Sequence, residues 1–168
     1  ALLIVDGGYG FGNGRIIPAG PLRETPAAAL ARCRAMLIIG DDRYNCAALV
    51  PPGKPVLRAA LVAELPADFP RMDKFLAFAG IGRPEKFFDS CRDAGLLLND
   101  MVEFSDHHPY TVPELSALAQ QAAALNARLL TTAKDAARLP PEWRDQIAVL
   151  PVSLHCADMA ALRQLLPL

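Results

Sequence analysis

Lys74-Phe75-Leu76-Ala77-Phe78-Ala79-Gly80-Ile81-Gly82-Arg83-Pro84, continued by Glu85-Lys86-Phe87-Phe88-Asp89-Ser90-Cys91-Arg92-Asp93-Ala94-Gly95, decides the fold. The apolar run Lys74–Ala79 reads as a strand, and Gly80 to Arg83 as a strand-to-helix turn. Pro84 then stands where a first helical residue belongs, because its missing N–H costs nothing there, and Gly95 marks the stop. A strand, a short glycine turn and a helix together make one βα unit.

Working outward, the same alternation recurs. Strands are expected at Leu2–Asp6, Ala35–Gly40, Val56–Val62, Leu96–Phe104, Ala127–Thr131 and Ile147–Val152. Pro55 and Pro66 bracket the third of these runs, which argues for an edge position. Helices are expected at Ala27–Arg34, Val112–Asn126 and Met159–Leu166. The second of these carries Thr111 as N-cap with Glu114 three residues on, a capping box. Leu115, Leu118, Ala119 and Ala122 give it one apolar stripe. The expectation is an α/β fold, a mostly parallel sheet with flanking helices. Residues 1–168 suffice for one domain with a real core, and Pro51-Pro52-Gly53-Lys54-Pro55 is the candidate boundary between two lobes. No internal repeat or low-complexity segment interrupts the pattern.

Apolar residues make up 52% of the chain, charged residues 21%, and the formal net charge is −1. That composition is globular and lacks the basic excess of a nucleic-acid binder, so no nucleic-acid partner is expected. Four cysteines, Cys33, Cys46, Cys91 and Cys156, lie far apart without a C-x-x-C pair and read as reduced thiols. No apolar run reaches membrane-spanning length and no signal-peptide pattern is present, which together read as cytoplasmic. The chain begins at once on a buried strand, Ala1-Leu2-Leu3-Ile4-Val5-Asp6, and reads as the continuation of a longer sheet.

Four segments at strand ends offer chemistry, where ligand sites form in such sheets. After the first strand comes Asp6-Gly7-Gly8-Tyr9-Gly10-Phe11-Gly12-Asn13-Gly14-Arg15, then Ile16 to Glu24. Its glycines allow backbone N–H groups to approach a ligand. Asn13, Arg15, Arg23 and Glu24 favour a substrate-facing loop, while glycine content alone leaves a long irregular connection equally open. It is not a G-x-x-x-x-G-K-[ST] loop, and none occurs in the chain, so no ATP-binding residue is assigned. Asp106-His107-His108 could orient a proton acceptor or hold a metal, or serve as a cap or surface pair. Gly80-Ile81-Gly82-Arg83-Pro84 offers N–H groups to an anion, or is only a tight turn. Lys134, in Thr131-Thr132-Ala133-Lys134-Asp135, could approach a phosphate or pair with a neighbouring carboxylate.

Taken in order, Val5–Glu24 (V-D-G-x-x-x-F-G-N-G-R-x-x-P-A-G-P-L-R-E), Phe78–Phe88 (F-x-G-I-G-R-P-x-x-F-F), Phe104–Tyr110 (F-S-D-H-H-x-Y) and Leu129–Asp135 (L-L-T-T-x-K-D) resemble tetraacyldisaccharide 4′-kinase, the lipid A 4′-kinase of Gram-negative bacteria. The resemblance covers almost the whole chain. It implies the carboxy-terminal lobe of a P-loop-kinase-like, Rossmann-like fold, without the P-loop. In that family the γ-phosphoryl of ATP passes to the 4′-hydroxyl of a tetraacyldisaccharide 1-phosphate, giving lipid IVA at the cytoplasmic face of the inner membrane. The resemblance therefore implies ATP and Mg²⁺ as cofactors of the complete enzyme. The implied partners are the lipid A disaccharide precursor, the membrane surface as a peripheral contact, and a missing amino-terminal half that holds the glycine loop, the catalytic aspartate and a D-D-G-x-Q segment.

Residue by residue, the family's Asp-His falls on Asp106 and His107, the His supporting a catalytic aspartate from the other half. Asn13 to Glu24 would border the disaccharide, with Arg15 and Arg23 as the phosphate contacts. The family's T-E-K-D stands here as Thr132-Ala133-Lys134-Asp135, so its glutamate is absent. Without the P-loop, this chain alone is expected to be inactive. Two other readings are a metal-dependent phosphoesterase, with Asp6, Asp41, Asp42, Asp106 and His107 converging on a divalent ion, and a non-catalytic ligand-binding remnant.

Overall fold

Two four-stranded sheets organise the chain in the computed structural model, which describes residues 1–166. The elements begin with β1 (Leu2–Asp6), α1 (Pro26–Arg32), β2 (Ala35–Ile39), a 3-10 turn at Cys46–Leu49 and β3 (Val56–Ala63). They continue with β4 (Lys74–Ala79), α2 (Pro84–Asp93), β5 (Leu97–Glu103), α3 (Val112–Ala124) and β6 (Arg128–Thr132). The last are α4 (Ala133–Ala136), α5 (Pro141–Arg144), β7 (Ala148–Leu150), β8 (Val152–Cys156) and α6 (Met159–Leu165). By packing the chain divides into two units, Ala1–Leu61 with Leu154 and the residues after it, and Val62–Ser153. The proline-rich segment Pro51–Pro55 lies inside the first.

The first unit is built on the sheet ordered β1-β2-β3-β8, with β1, β2 and β3 parallel. A strand of unbroken apolar residues can be covered on both faces, and β2 is. Its Met36 and Ile38 pack with Val5, Leu30, Cys33 and Cys46, while Leu37 packs with Leu57, Ala59 and Leu162. Thr25 caps α1 by accepting from the Ala28 amide at 3.2 Å, and Pro26 opens the helix. At the other end the Lys54 ammonium donates to the carbonyls of Leu30 and Cys33, satisfying groups that a helix terminus leaves without partners.

The second unit carries an all-parallel sheet ordered β5-β4-β6-β7. Strand β4 lies in its interior, and side chains alternate across a strand with period two. Phe75, Ala77 and Ala79 therefore meet Phe87, Phe88 and Cys91 of α2, while Leu76 and Phe78 meet Leu115, Leu118 and Ala122 of α3. Phe75 and Phe78 are fully buried, each contributing on the order of 1.5–3 kcal/mol by area. Burial, only partly opposed by the Arg92 charge, also pushes the Cys91 thiol up to about 12.

The expected mostly parallel α/β architecture is present, with helix and strand limits shifted by one or two residues. One expected strand, Ile147–Val152, is two. Pro151 has no amide to donate, so pairing stops there, and β7 joins the second sheet whereas β8 joins the first. The short helices α4 and α5 were not signalled by any apolar period.

Candidate functional site

In the second unit three of the quoted motifs meet at the carboxyl ends of β4, β5 and β6. Parallel sheets open their ligand crevices at that edge. Gly80 follows β4, Phe104–Tyr110 follows β5, and α4 begins directly after β6. The backbone welds them together: the Phe104 amide donates to the Ala79 carbonyl at 2.9 Å, and the His107 amide to the Gly80 carbonyl at 3.0 Å.

His107 holds a left-handed backbone, φ 60°, which few non-glycine residues adopt, histidine more often than most. Its ring is 83% exposed and the Asp106 carboxylate 54% exposed. The two side chains stand 3.8 Å apart, His107 Nε2 to Asp106 Oδ2, beyond hydrogen-bond length. Both side chains are thus open to solvent. His108 turns the other way. It stacks on Phe104 with ring centres 4.6 Å apart and reaches Glu114 Oε1 at 3.1 Å.

Beneath the exposed pair lies a buried polar cluster. Asp135, wholly buried, accepts at Oδ1 from the Gly80 amide at 3.2 Å and from the Tyr110 hydroxyl at 3.0 Å. Its Oδ2 accepts from the Thr132 hydroxyl at 2.7 Å, and its own amide donates back to Thr132 Oγ1 at 3.0 Å. A buried carboxylate requires a counter-charge as well as donors. Arg138 supplies it, with Nη1 3.5 Å from Asp135 Oδ1 and donating to the Gly80 carbonyl at 3.1 Å. Burial, then the charge and hydrogen bond of Asp135, push the Tyr110 phenol well above its ordinary range.

Sequence reasoning singled out Lys134 in this stretch and passed over its neighbours Asp135, Tyr110 and Arg138. Lys134 is exposed and forms no ion pair among the described residues. The signal was available in Thr132-x-x-Asp135, a cap pattern at a strand end.

In the first unit the segment after β1 is a chain of tight turns. Asp6 starts it, accepting at Oδ1 from Gly8 N and at its carbonyl from Tyr9 N and Gly10 N. Asn13 closes the next part, donating to the Ala19 carbonyl at 2.9 Å while its Oδ1 accepts from Arg15 N at 3.1 Å. The Ile17 amide then donates to Leu22 O at 2.8 Å and Leu22 N to Arg15 O at 3.2 Å. These bonds bring Arg15 and Arg23 to the two ends of one closed loop, both exposed. Gly20 is required there, since a Cβ would lie 2.2 Å from Asn13 Oδ1 and 2.4 Å from Arg15 O. Glu24 is held by Arg32 through the Nε and Nη2 donors. That hydrogen bonding lowers the Glu24 carboxyl below its usual range.

Among the described residues no three His, Cys, Asp or Glu side chains gather to hold a metal ion. Of the acidic residues considered for one, Asp6 and Asp42 are engaged by backbone amides. Asp42, for example, accepts from Cys46 N at 2.7 Å and Ala47 N at 3.0 Å; burial raises its pKa, but these amides and Arg58 outweigh that and lower it. No helix among the described residues is long and apolar enough to cross a membrane.

Comparison with known proteins gives the geometry a context. The family model described as tetraacyldisaccharide-1-P 4′-kinase matches residues 1–167. The tetraacyldisaccharide 4′-kinase of Gluconacetobacter diazotrophicus is 48% identical over 165 residues, which is 98% of this chain and 50% of that protein. That of Rhodospirillum centenum is 49% identical over 168 residues, covering 99% of this chain and 50% of the relative. Among solved structures, LpxK from Aquifex aeolicus in complex with ATP matches with a TM-score of 0.65 at 22% identity, over 98% of this chain and 50% of that one. The fold of this chain is thus that of half of LpxK. The chain spans about half the length of the curated relatives it matches, and across that span it belongs to the tetraacyldisaccharide 4′-kinase family.

Proposed function

We propose that this chain is the carboxy-terminal part of an enzyme that transfers the γ-phosphoryl of ATP to the 4′-hydroxyl of a tetraacyldisaccharide 1-phosphate. The match of the family model over residues 1–167 carries the reading. The clustering of three family-like motifs at one sheet edge supports it. On this reading the other half supplies the glycine loop and the catalytic aspartate, and the enzyme works peripherally at the cytoplasmic face of the inner membrane.

His107 would hydrogen-bond the incoming aspartate, orienting it and tuning its basicity toward the sugar hydroxyl. Asp106 stands beside it as a second acceptor. Arg15 and Arg23 would hold the lipid's phosphate by charge-assisted bonds, with Asn13 fixing the loop and Glu24, tied to Arg32, bordering it. Mg²⁺ supplies charge neutralisation in phosphoryl transfer. On this reading its ligands come with the glycine loop from the other half. ATP itself meets no glycine loop here, hence this chain by itself has no kinase activity. Lipid-dependent ATP consumption by the isolated chain would refute that.

The test uses the complete enzyme. His107→Asn suits the left-handed backbone while removing the ring. It is expected to lower kcat by about 10²-fold, in the range of general acid–base effects, with lipid binding little changed. An unchanged kcat would remove His107 from the chemistry.

A further inference from the structure

The buried carboxylate of Asp135 has no counterpart in that reading, and neither does the phenol of Tyr110. Each is too deeply enclosed to meet a substrate: Asp135 has no exposed surface and Tyr110 is 5% exposed. What they hold instead is the backbone of one residue. The Gly80 N–H donates to Asp135, and the Gly80 carbonyl accepts from both Arg138 and His107 N. Both backbone polar groups of Gly80, in the two peptide units that flank its Cα, are therefore fixed, the N–H by a carboxylate and the carbonyl by the guanidinium paired with it. The far side of the Gly80 carbonyl is the amide of the residue with the left-handed backbone.

We propose that Asp135 is a positioning residue, acting on His107 through the backbone of Gly80 with Tyr110 and Arg138 as its partners. A left-handed backbone at histidine is held only where surrounding bonds impose it. Here the imposing bond is His107 N to Gly80 O, and its acceptor moves if Asp135 releases Gly80 N. Tyr110 fixes which way the carboxylate points. It is wedged edge-on against Phe78 and Phe104, with ring centres 5.3 and 5.2 Å apart, so its hydroxyl cannot drift. The space around Gly80 leaves no slack either: a Cβ there would meet Tyr110 Oη at 2.9 Å and His108 Cβ at 3.0 Å. The cluster ties β4, the 104–110 loop and α4 into one frame under the exposed pair.

The inference rests on the proposed role of His107, and its test separates the two. In the complete enzyme, Tyr110→Phe keeps the ring packing and deletes one donor, while Asp135→Asn keeps the shape and removes the charge. Each is expected to lower kcat about five-fold, the scale of one hydrogen bond, with KM for both substrates unchanged. In a His107→Asn background the same substitutions are expected to change kcat less than about two-fold, because residues that act through one group are non-additive. An equal factor in both backgrounds, or no loss in kcat where His107→Asn does lower it, overturns the proposal. If His107→Asn itself leaves kcat intact, the functional reading has failed, and hydrogen exchange at the His107 amide decides the positioning. Exchange about ten-fold faster in Tyr110→Phe supports it; an unchanged rate overturns it.

Discussion

The amide of Gly80 donates to the carboxylate of Asp135 across 55 positions of sequence, at 3.2 Å. This bond joins the end of β4 to the start of α4, and it leaves Gly80 no room for a side chain. A Cβ would come within 2.9 Å of Tyr110 Oη, 3.0 Å of His108 Cβ and 3.1 Å of Ser105 O.

Gly80→Ala is accordingly expected to destabilise the second unit. Overpacking of this kind costs about 1–3 kcal/mol, and each kcal/mol lowers Tm by about 2–4 °C in a protein of this size. Thermal unfolding measures it directly. A Tm within a degree of the parent would mean that the 104–110 loop yields freely.

How much of this was legible beforehand follows from which forces leave a local trace. Burial does: KFLAFA and AMLIIG announce β4 and β2 because a strand covered on both faces must be apolar throughout. Caps do as well, and Thr111 with Glu114 forms the expected box. Pairing between distant segments does not. The run Ile147–Val152 contains its own breaker, Pro151, but nothing in it records that the strands on either side join different sheets. Asp135 looks like the partner of its neighbour Lys134, since the Gly80 amide and Tyr110 that claim it lie 55 and 25 residues away.

The capping box gives a pH-dependent prediction. Hydrogen bonds from the Thr111 hydroxyl and amide, then from His108, hold the Glu114 carboxyl below its ordinary value of 4.5. A depressed carboxyl contributes stability that is present above the unfolded pKa and is lost as pH falls through the folded one. Thr111→Ala should therefore cost about 0.5–2 kcal/mol at neutral pH and also flatten the stability curve below pH about 4.5. Denaturant unfolding from neutral pH into acid checks both. Parallel acid limbs for parent and variant would sink the assignment.

Thiol chemistry reads out burial. Cys91 is fully enclosed, and its thiol stays protonated to about 12; Cys46 is buried and its pKa is raised by desolvation and by Asp42. Only the thiolate alkylates. In the native protein at pH 8, iodoacetamide should modify the half-buried Cys156 first and Cys91 last. Because folding raises the Cys91 pKa, its contribution to stability is complete below about pH 9 and is lost as pH rises toward 12. Peptide mapping by mass spectrometry after a short pulse measures the order. Early labelling of Cys91 under native conditions would contradict the packing of α2 against β4.

Arg23 carries the most direct prediction about substrate. The bonds Ile17 N to Leu22 O and Leu22 N to Arg15 O close the loop whose flanking residues include Arg15 and Arg23, both exposed. Glu24, the nearest carboxylate in sequence, is committed to Arg32 and does not neutralise them. Two exposed guanidiniums beside a fixed backbone suit a phosphate, which Arg binds bidentately. In the complete enzyme Arg23→Ala should raise KM for the disaccharide phosphate by about 10- to 100-fold, the value of one charge-assisted bond at about 1.5–3 kcal/mol, and leave kcat nearly unchanged. Arg23→Lys should recover only part of the loss, since it keeps charge without the planar fork. An unchanged KM for the lipid would release Arg23 from substrate binding. A fall in kcat at constant KM would move it instead to the transition state.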